Sequence, residues 1–324
     1  MQHSRRKFLR QSKALALLLG VGSLPNLAFG EDKLTLWGAP ALISLPLAVA
    51  YKQGNAQKIK SFDFNLWKSP DILRAGFASK DFKISAAPSN VGITLAHQGL
   101  DVKLLNILTR GLNYLFTKDE DIKSFDDLRG KKLIVPFKND LPDLIFQILC
   151  QKLGVNISQI NIHYAANPPQ ATQLFITGEF DAVLSQEPLA SALGLLASKN
   201  GVKVFRQIDI QKLWQEQFNT SIAQAGLIVE NAFYQQNEAF VNTLQQDLEQ
   251  ALVWINDNKD SAADFGAKYL PAPVPAIKIA LDYANLSATR ALAMSDELLK
   301  FYKILYDFNP KFLGGKMPDK SLFL

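Results

Sequence analysis

Cysteine occurs once in the 324 residues, at Cys150, so the chain can form no internal disulfide and no cysteine-based metal site. Its setting in the helical run Leu144-Ile145-Phe146-Gln147-Ile148-Leu149-Cys150 points to a small buried hydrophobe, not a nucleophile. Histidine is nearly as scarce: beyond His3 there are only His97 and His163. His97 falls beside Gln98 on an expected helix and reads as solvated, while His163 alternates with Ile160 and Ile162 and reads as a surface or strand-end residue. Without a set of histidine, acid and nucleophile, general-base and metal chemistry have few candidates. The H-E-x-x-H, G-x-S-x-G and P-loop patterns are missing as well, and Gly314-Gly315-Lys316 lacks the frame of the last. No catalytic residue, cofactor or metal is expected.

An excess of one charge is also missing. The formal net charge is +5, but residues 1–30 contain Arg5, Arg6, Lys7, Arg10, Lys13 and no acid, which leaves 30 bases against 30 acids in the rest. A neutral body argues against a phosphate-backbone partner, so no nucleic acid is expected. The first 30 residues read as a targeting segment: a basic start, the apolar run Ala14 to Leu19, then Ala28-Phe29-Gly30 with small residues where a signal peptidase needs them. Cleavage between Gly30 and Glu31 is expected. The apolar run is shorter than the ~20 residues that cross a bilayer. Ser4-Arg5-Arg6-Lys7-Phe8-Leu9-Arg10 matches the twin-arginine consensus, which predicts export of the folded protein to the periplasm.

What remains is long enough for two domains with separate cores. Its 48% hydrophobic and 20% charged residues are those of an ordinary globular protein. Strands are expected at Lys33–Trp37, Phe62–Trp67, Lys83–Ala87 and Val102–Leu108, with helices at Leu42–Lys52, after Ser69-Pro70, and from Pro88 to Gln98. This alternation predicts parallel βαβ units. The pattern breaks at Arg110 to Thr117 with an isolated strand, Asn113–Thr117, read as a hinge crossing. It restarts with strands at Lys132–Val135, Ile160–Tyr164, Ala182–Leu184 and Val202–Arg206, separated by helices at Leu141–Leu153, Gln170–Thr177 and Pro188–Ser198. Thr220–Glu230 reads as a strand returning to the first lobe, and the remainder as almost entirely helical. The expected division is a leader, 1–30; a first lobe, 31–112 plus 224–324; and a second, 113–223.

In open α/β sheets, ligands bind outside the carboxyl ends of the strands. Those ends carry Gly38-Ala39-Pro40, Trp67-Lys68-Ser69, Pro88-Ser89-Asn90, Phe137-Lys138-Asn139-Asp140, Asn167 and Gln186-Glu187. Small residues permit close backbone approach, amides and hydroxyls orient a ligand, and Trp67 or Phe137 supplies a flat apolar wall. The mixture suits reversible capture of a small molecule.

Five segments in order also carry a resemblance: Leu45-Pro46-Leu47-Ala48-Val49-Ala50, Asp81–Val91 with Gly99-Leu100-Asp101-Val102, Ser124–Pro136, Gly178–Pro188, and Ala225-Gly226-Leu227-Ile228-Val229. They are similar to the solute-binding proteins of ABC importers, in the nitrate, sulfonate, taurine and thiamine-precursor (SsuA/THI5-like) group. The resemblance implies a type II periplasmic-binding fold: two α/β lobes joined by two hinge strands, with the C-terminal helices packed on lobe 1. It implies a monomeric, non-enzymatic protein that closes over a small polar solute and presents it to an ABC permease in the inner membrane. By position, Gly38, Pro40, Pro88, Ser89, Asn90, Asn139, Asp140 and Glu187 would face the cleft.

One departure bears on the solute. Where anion-binding members have a Gly-Ser/Thr pair, this chain has Asn139-Asp140-Leu141-Pro142-Asp143. Asp140 as N-cap and Asp143 in the first turn would occupy the free N–H groups that otherwise attract an anion. Lys68, Lys138 and Arg110 would restore positive potential, whereas Glu187 and Asp140 suit an amine or aminopyrimidine. On that reading Glu187→Ala weakens binding and leaves stability alone. Two other classes stand beside this one. An enzyme on the same fold, like the pyrimidine synthases, needs a cysteine-rich motif and a catalytic histidine, and the single Cys150 argues against it. An exported sensory module is not separable from a transport component by sequence.

Overall fold

In the computed structural model, residues 33–324 are described, so the expected leader and its cleavage site lie outside the described residues. The first strand, β1 (Leu34–Gly38), alternates buried Leu34 and Leu36 with half-buried Thr35 and Trp37, the period-two signature of a sheet with unequal faces. It leads into α1 (Ser44–Gln53), the single turn α2 (Ala56–Ile59), β2 (Phe62–Leu66) and α3 (Pro70–Ala78). Ser69 caps α3 by accepting from the Ile72 N–H at 3.3 Å, with Pro70 in the first helical position, as expected. Then follow β3 (Ile84–Pro88), α4 (Ser89–His97), β4 (Val102–Leu104) and β5 (Asn106–Thr109).

The second lobe comprises β6 (Asn113–Thr117), β7 (Lys132–Pro136), α5 (Leu141–Lys152), β8 (Asn161–Ala165) and α6 (Pro168–Thr177), then β9 (Ala182–Gln186), α7 (Leu189–Lys199), β10 (Phe205–Asp209) and α8 (Ile210–Phe218). The chain returns through β11 (Ala225–Glu230), α9 (Asn231–Gln236), α10 (Glu238–Asp257) and α11 (Lys259–Gly266). It ends with α12 (Val274–Ala280), β12 (Leu286–Arg290) and α13 (Ser295–Phe308).

Two sheets result, and they share one plan. In the first, β2, β1 and β3 are parallel, and β11 lies antiparallel beside β3, carrying β4 and β5 on its far side with β12 on β5. In the second, β8, β7 and β9 are parallel and β6 lies antiparallel beside β9, with β10 at its edge. In each sheet the strand lying antiparallel beside the parallel set, β11 or β6, is the one that has just crossed from the other lobe. Register fixes where the crossings fall: Ala225 opens β11 opposite Pro88, and Asn113 opens β6 opposite Gln186. Both hinge segments are therefore delivered to the carboxyl ends of the parallel strands, the ligand side of such sheets.

The crossings are held to each other by side-chain amides. Gln224 Oε1 accepts from Asn113 Nδ2 at 2.7 Å and from the Leu112 N–H at 3.2 Å, and the Gln224 N–H donates to the Thr109 carbonyl at 3.2 Å. Two glycines are required nearby. Gly111 has φ +115°, and a Cβ on Gly226 would stand 1.8 Å from the Asn106 carbonyl oxygen.

The C-terminal helices pack on the first lobe, as expected, and reach further. Helix α10 buries Phe240, Val241, Leu244 and Leu248 in that lobe's core, and its buried Asp247 accepts from the Asn55 and Ala56 N–H groups at 2.9 and 2.8 Å. Helix α13 instead joins a cluster containing Leu133 and Leu144 of the second lobe, and Phe301 meets the buried Trp214 of α8 edge-on at 5.7 Å.

Five segments depart from the sequence reading: the single strand expected over Val102–Leu108 is two, β4 and β5, and the one expected over Val202–Arg206 runs from Phe205 to Asp209. Helix α8 was not anticipated because its apolar face is narrow: Ile210 and Trp214 are buried one turn apart among Gln and Lys, between the Asp209 cap and a left-handed Asn219. Strand β12 is a bulged edge strand inside a region that reads as helical. Residues 220–224 are hinge, so the return strand begins only at Ala225. Among the described residues no helix is long and apolar enough to cross a membrane.

Candidate binding cleft

The carboxyl ends of β1, β2, β3, β7, β8 and β9 converge on a cleft of about 540 Å³ between the two sheets. Of its 25 lining residues, 19 are apolar and seven of those are prolines, so the surface is rigid as well as hydrophobic. Its polar members are Lys68, Arg74, Asp140, Asn167, Gln186 and Gln224. Among the described residues no serine, threonine, cysteine, histidine or tyrosine lines it.

Of the residues anticipated from sequence, Ala39, Pro40, Trp67, Pro88, Phe137, Asp140 and Asn167 line the cleft. Trp67 is held as a fixed wall because its indole N–H donates to the Ala86 carbonyl at 2.8 Å. Phe137 is placed by a left-handed backbone, φ +55°, in the β7–α5 loop; a non-glycine residue in that region marks a constrained turn. Asn167 faces the cleft while its side chain caps α6 through the Gln170 N–H at 2.9 Å. Arg74, Leu112, Leu189, Gln224 and Pro271 were missed. Arg74 was legible, one helical turn after Pro70 on the same face of α3.

Six anticipated residues are placed elsewhere. Gly38 lies behind the wall, where a Cβ would stand 2.6 Å from Ser44 Oγ. Ser89 is fully buried and ties α4 to the returning hinge: its N–H donates to the Gln224 carbonyl at 3.0 Å and its hydroxyl to the Ala223 carbonyl. Asn90 and Asn139 line a smaller side pocket. Lys138 is exposed, with its ammonium 5.1 Å from the Tyr164 ring centre. Glu187 is the largest correction. Its carboxylate is fully buried inside the second lobe, paired with Arg206 at 2.5 Å and accepting from the Ser191 N–H at 3.1 Å.

The Arg206 guanidinium is stacked as well as paired. Its centre lies 3.9 Å from the Tyr283 ring, 4.4 Å from Tyr114 and 4.9 Å from Phe116. Tyr283 belongs to the α12–β12 connection, and the Tyr114 hydroxyl donates to its carbonyl at 2.7 Å. Arg110, also expected to bring positive potential to the ligand, sits on the hinge instead. It pairs with Glu297 of α13 at 2.9 Å and donates to Ser221 at 3.1 Å. Burial opposes ionisation of Glu297, but hydrogen bonds from Ser221 and Arg110 prevail and hold its carboxyl below the usual range.

At the start of α5 the expected roles of two aspartates are exchanged. Asp140 occupies the N-cap position but makes no capping bond. The buried Asp143 takes the Asn139 N–H at 2.8 Å and the Tyr164 hydroxyl at 3.3 Å. Burial and then that aspartate push the Tyr164 hydroxyl up to about 12. Asp140 is left facing the cleft, 3.8 Å from the Arg74 guanidinium. Burial pushes its carboxyl above the usual range, more than Arg74 pulls it down. Cys150 is buried, and burial followed by Asp143 pushes its thiol up to about 12, out of nucleophilic use. His163 is exposed, as expected, but His97 is half-buried and its Nδ1 contacts the Leu313 carbonyl.

Residues 77–262 match the model of the NMT1/THI5-like family. No curated protein matches the chain. Among solved structures, a protein of an ABC transporter from Parabacteroides distasonis is 18% identical, with 91% of this chain and 99% of that chain covered at a TM-score of 0.71. The periplasmic aliphatic sulphonate-binding protein SsuA of Escherichia coli is 16% identical over 90% and 91% of the two chains, with a TM-score of 0.70. The alkanesulfonate-binding protein SsuA of Xanthomonas axonopodis pv. citri, bound to MOPS, is 14% identical over 90% and 96%, with a TM-score of 0.64. The fold is that of the periplasmic binding proteins.

Proposed function

Since the chain belongs to the NMT1/THI5-like family, we propose that it is the exported solute-binding component of an ABC importer, capturing a small molecule in the interlobe cleft and delivering it to a permease. Residues 31–112 with 224–324 act as one body and 113–223 as the other, and they close about the two crossings. The observation that carries this reading is the cleft itself: walls from both sheets, two hinge segments at its floor and a volume of about 540 Å³. Hinge closure needs contacts that exist only when the solute is held by both walls, and Trp67 and Phe137 offer a flat surface from each.

A described lining without serine, threonine, cysteine or histidine supports binding without catalysis. It also revises the expected solute. Nineteen apolar residues around six polar ones favour a mainly apolar body with few polar groups over a wholly polar molecule. Delivery to a permease in the inner membrane, a periplasmic location and a monomeric state belong to the same proposal.

The test is a thermal-shift screen of the purified protein against sulfonates, nitrate, thiamine precursors, amines and neutral aromatic compounds. A ligand at ~100 times its dissociation constant stabilises by ~2.7 kcal/mol. A shift confined to compounds with an apolar body is the expected result. A response to nitrate alone would overturn the assignment of the cleft.

A further inference from the structure

At the floor of the cleft, where the two crossings meet, stands Gln224, a lining residue that is only 6% exposed. Its side-chain oxygen is committed twice, accepting from the Leu112 N–H at 3.2 Å and from Asn113 Nδ2 at 2.7 Å. A backbone N–H can only donate, so the two ends of the amide cannot be exchanged and Nε2 keeps one orientation. That nitrogen has no hydrogen-bond partner among the described residues. It is also within reach of a ligand. The unpartnered side-chain atoms that are closed off from solvent are those of Asn90, Asn113, Trp214, Thr220 and Tyr302, and Gln224 Nε2 is not one of them.

A nearly buried donor left unpaired costs free energy that a bound acceptor recovers. The surroundings limit what that acceptor is. Ala225 follows Gln224 opposite Pro88, and Asn113 stands opposite Gln186, so the neighbours in register are neutral. The nearby backbone donors are spent: the Leu112 N–H on Gln224 itself, the Asn113 N–H on Gln211 Oε1 at 2.7 Å, and the Glu187 N–H on the Leu112 carbonyl at 2.9 Å. A carboxylate or sulfonate buried there would need a cation or several donors, and it would find one amide. Of the two cations in the lining, Arg74 stands 3.8 Å from Asp140 and Lys68 is exposed. An ammonium would bring a donor to a donor. A carbonyl oxygen or an aromatic ring nitrogen needs only one N–H and carries no charge.

Resting on the solute-binding reading of the cleft, we infer that Gln224 is its specificity-determining residue: the solute is a neutral aromatic compound that sets a carbonyl oxygen or ring nitrogen on Gln224 Nε2, with its ring between Trp67 and Phe137. Apolar walls orient a ring only weakly, so this one bond decides which end of the solute enters first. The bond also lands on the residue that holds the two crossings together.

The experiment is competition against the fluorescence of cleft-bound N-phenylnaphthylamine by acetylnaphthalene, isopropylnaphthalene and naphthoate. The three share a shape and differ in whether the substituent is a neutral acceptor, an apolar group or an anion. The ketone should displace the dye at about five-fold lower concentration than the hydrocarbon. It should also outcompete naphthoate. Gln224→Glu keeps an oxygen for Leu112 and Asn113 and replaces the donor by a second acceptor, so in mildly alkaline buffer the ketone's advantage should vanish while the hydrocarbon still binds. Gln224→Met should bring the ratio of ketone to hydrocarbon affinity to about one. The inference is overturned if the ketone has no advantage in the parent protein, if naphthoate binds tightest, or if the advantage survives both substitutions; an advantage lost in Lys68→Ala instead would move the acceptor to that lysine. In each of these cases binding of the hydrocarbon leaves the cleft assignment standing. The first two comparisons need no variant, so a variant that fails to fold cannot shield the inference. Failure of the dye and all three compounds to bind would remove the cleft assignment, and the role of Gln224 with it.

Discussion

The two sides of the interlobe crossing are built from opposite materials. On the ligand side, strand ends present proline, alanine, leucine and aromatic surface with few polar groups. On the other, Arg110 and Ser221 both donate to the Glu297 carboxylate, and Gln211 Oε1 accepts from the Asn113 N–H at 2.7 Å. A few residues away, Arg206 is paired with Glu187 among three aromatic rings. The difference follows from what each side has to do. An apolar surface releases water when a solute arrives and constrains its orientation little. Directional bonds between hinge residues fix how the lobes meet when the cleft is empty. Charged residues near the crossing therefore read as architecture here, although their place in sequence suggested ligand contacts.

The Glu187 carboxylate is the sharpest way to break that comparison. Removing one partner of a buried ion pair leaves the other charge uncompensated, at a cost of roughly 3–5 kcal/mol. Glu187→Ala should therefore lower the midpoint of urea unfolding strongly, which reverses the expectation that it alters binding alone. Replacing the pair together, Glu187→Leu with Arg206→Met, should recover much of the loss. A single variant that melts like the parent but binds solute poorly would return Glu187 to the ligand side.

The hinge pair gives a smaller effect because Arg110 and Glu297 are each about one third exposed, at 37% and 33% of their side chains, and solvent screens them. Arg110→Ala should cost about 1 kcal/mol. The pH dependence has a definite sign. Glu297 has a folded-state value depressed below its unfolded one, so its stabilisation is complete above the ordinary glutamate value of about 4.3 and fades as pH falls through the folded value. Glu297→Gln should flatten the acid limb of a stability–pH curve measured by chemical denaturation. An unchanged limb would place the acid sensitivity elsewhere.

How much of this was legible in sequence depended on whether a signal was local. The two-lobe plan was legible, since strand–helix alternation, its interruption before Asn113 and its restart are all patterns of neighbouring residues. Six of the strand ends lining the cleft were legible for the same reason: a strand that runs into Pro or a polar cap announces its own end. Side-chain direction was not. Gln186 and Glu187 are adjacent at the end of β9, yet Gln186 lines the cleft while Glu187 turns into the lobe toward Arg206, a partner 19 residues away. Asp140 and Asp143 both suit the first turn of a helix, and only packing against Tyr164 decides which of them serves the backbone. The direction of the Gln224 amide depends on Leu112 and Asn113, which are 112 and 111 residues distant in sequence.

Asp140 sharpens the comparison from the ligand side, with the smallest expected effect. It is the one carboxylate among the described residues of a mainly apolar lining, and burial already favours its protonated form. An apolar solute that covers it removes more water, so the ionised form opposes binding and the neutral form does not. Because its folded-state value is raised, the cost that Asp140 imposes on stability and on binding is present at high pH and is relieved as pH falls through that value. The affinity of a neutral ligand such as N-phenylnaphthylamine should therefore rise by about three-fold as the carboxyl is protonated. Asp140→Asn should show the higher affinity throughout, with a flat pH profile. The partial contact with Arg74, at 3.8 Å, limits the effect, because the cation stabilises the charge that burial penalises. Arg74→Ala should accordingly steepen the dependence. A neutral ligand that instead binds more tightly as Asp140 ionises would mean that the carboxylate accepts a hydrogen bond from it, and that the ligand side depends on directional contacts as the hinge does.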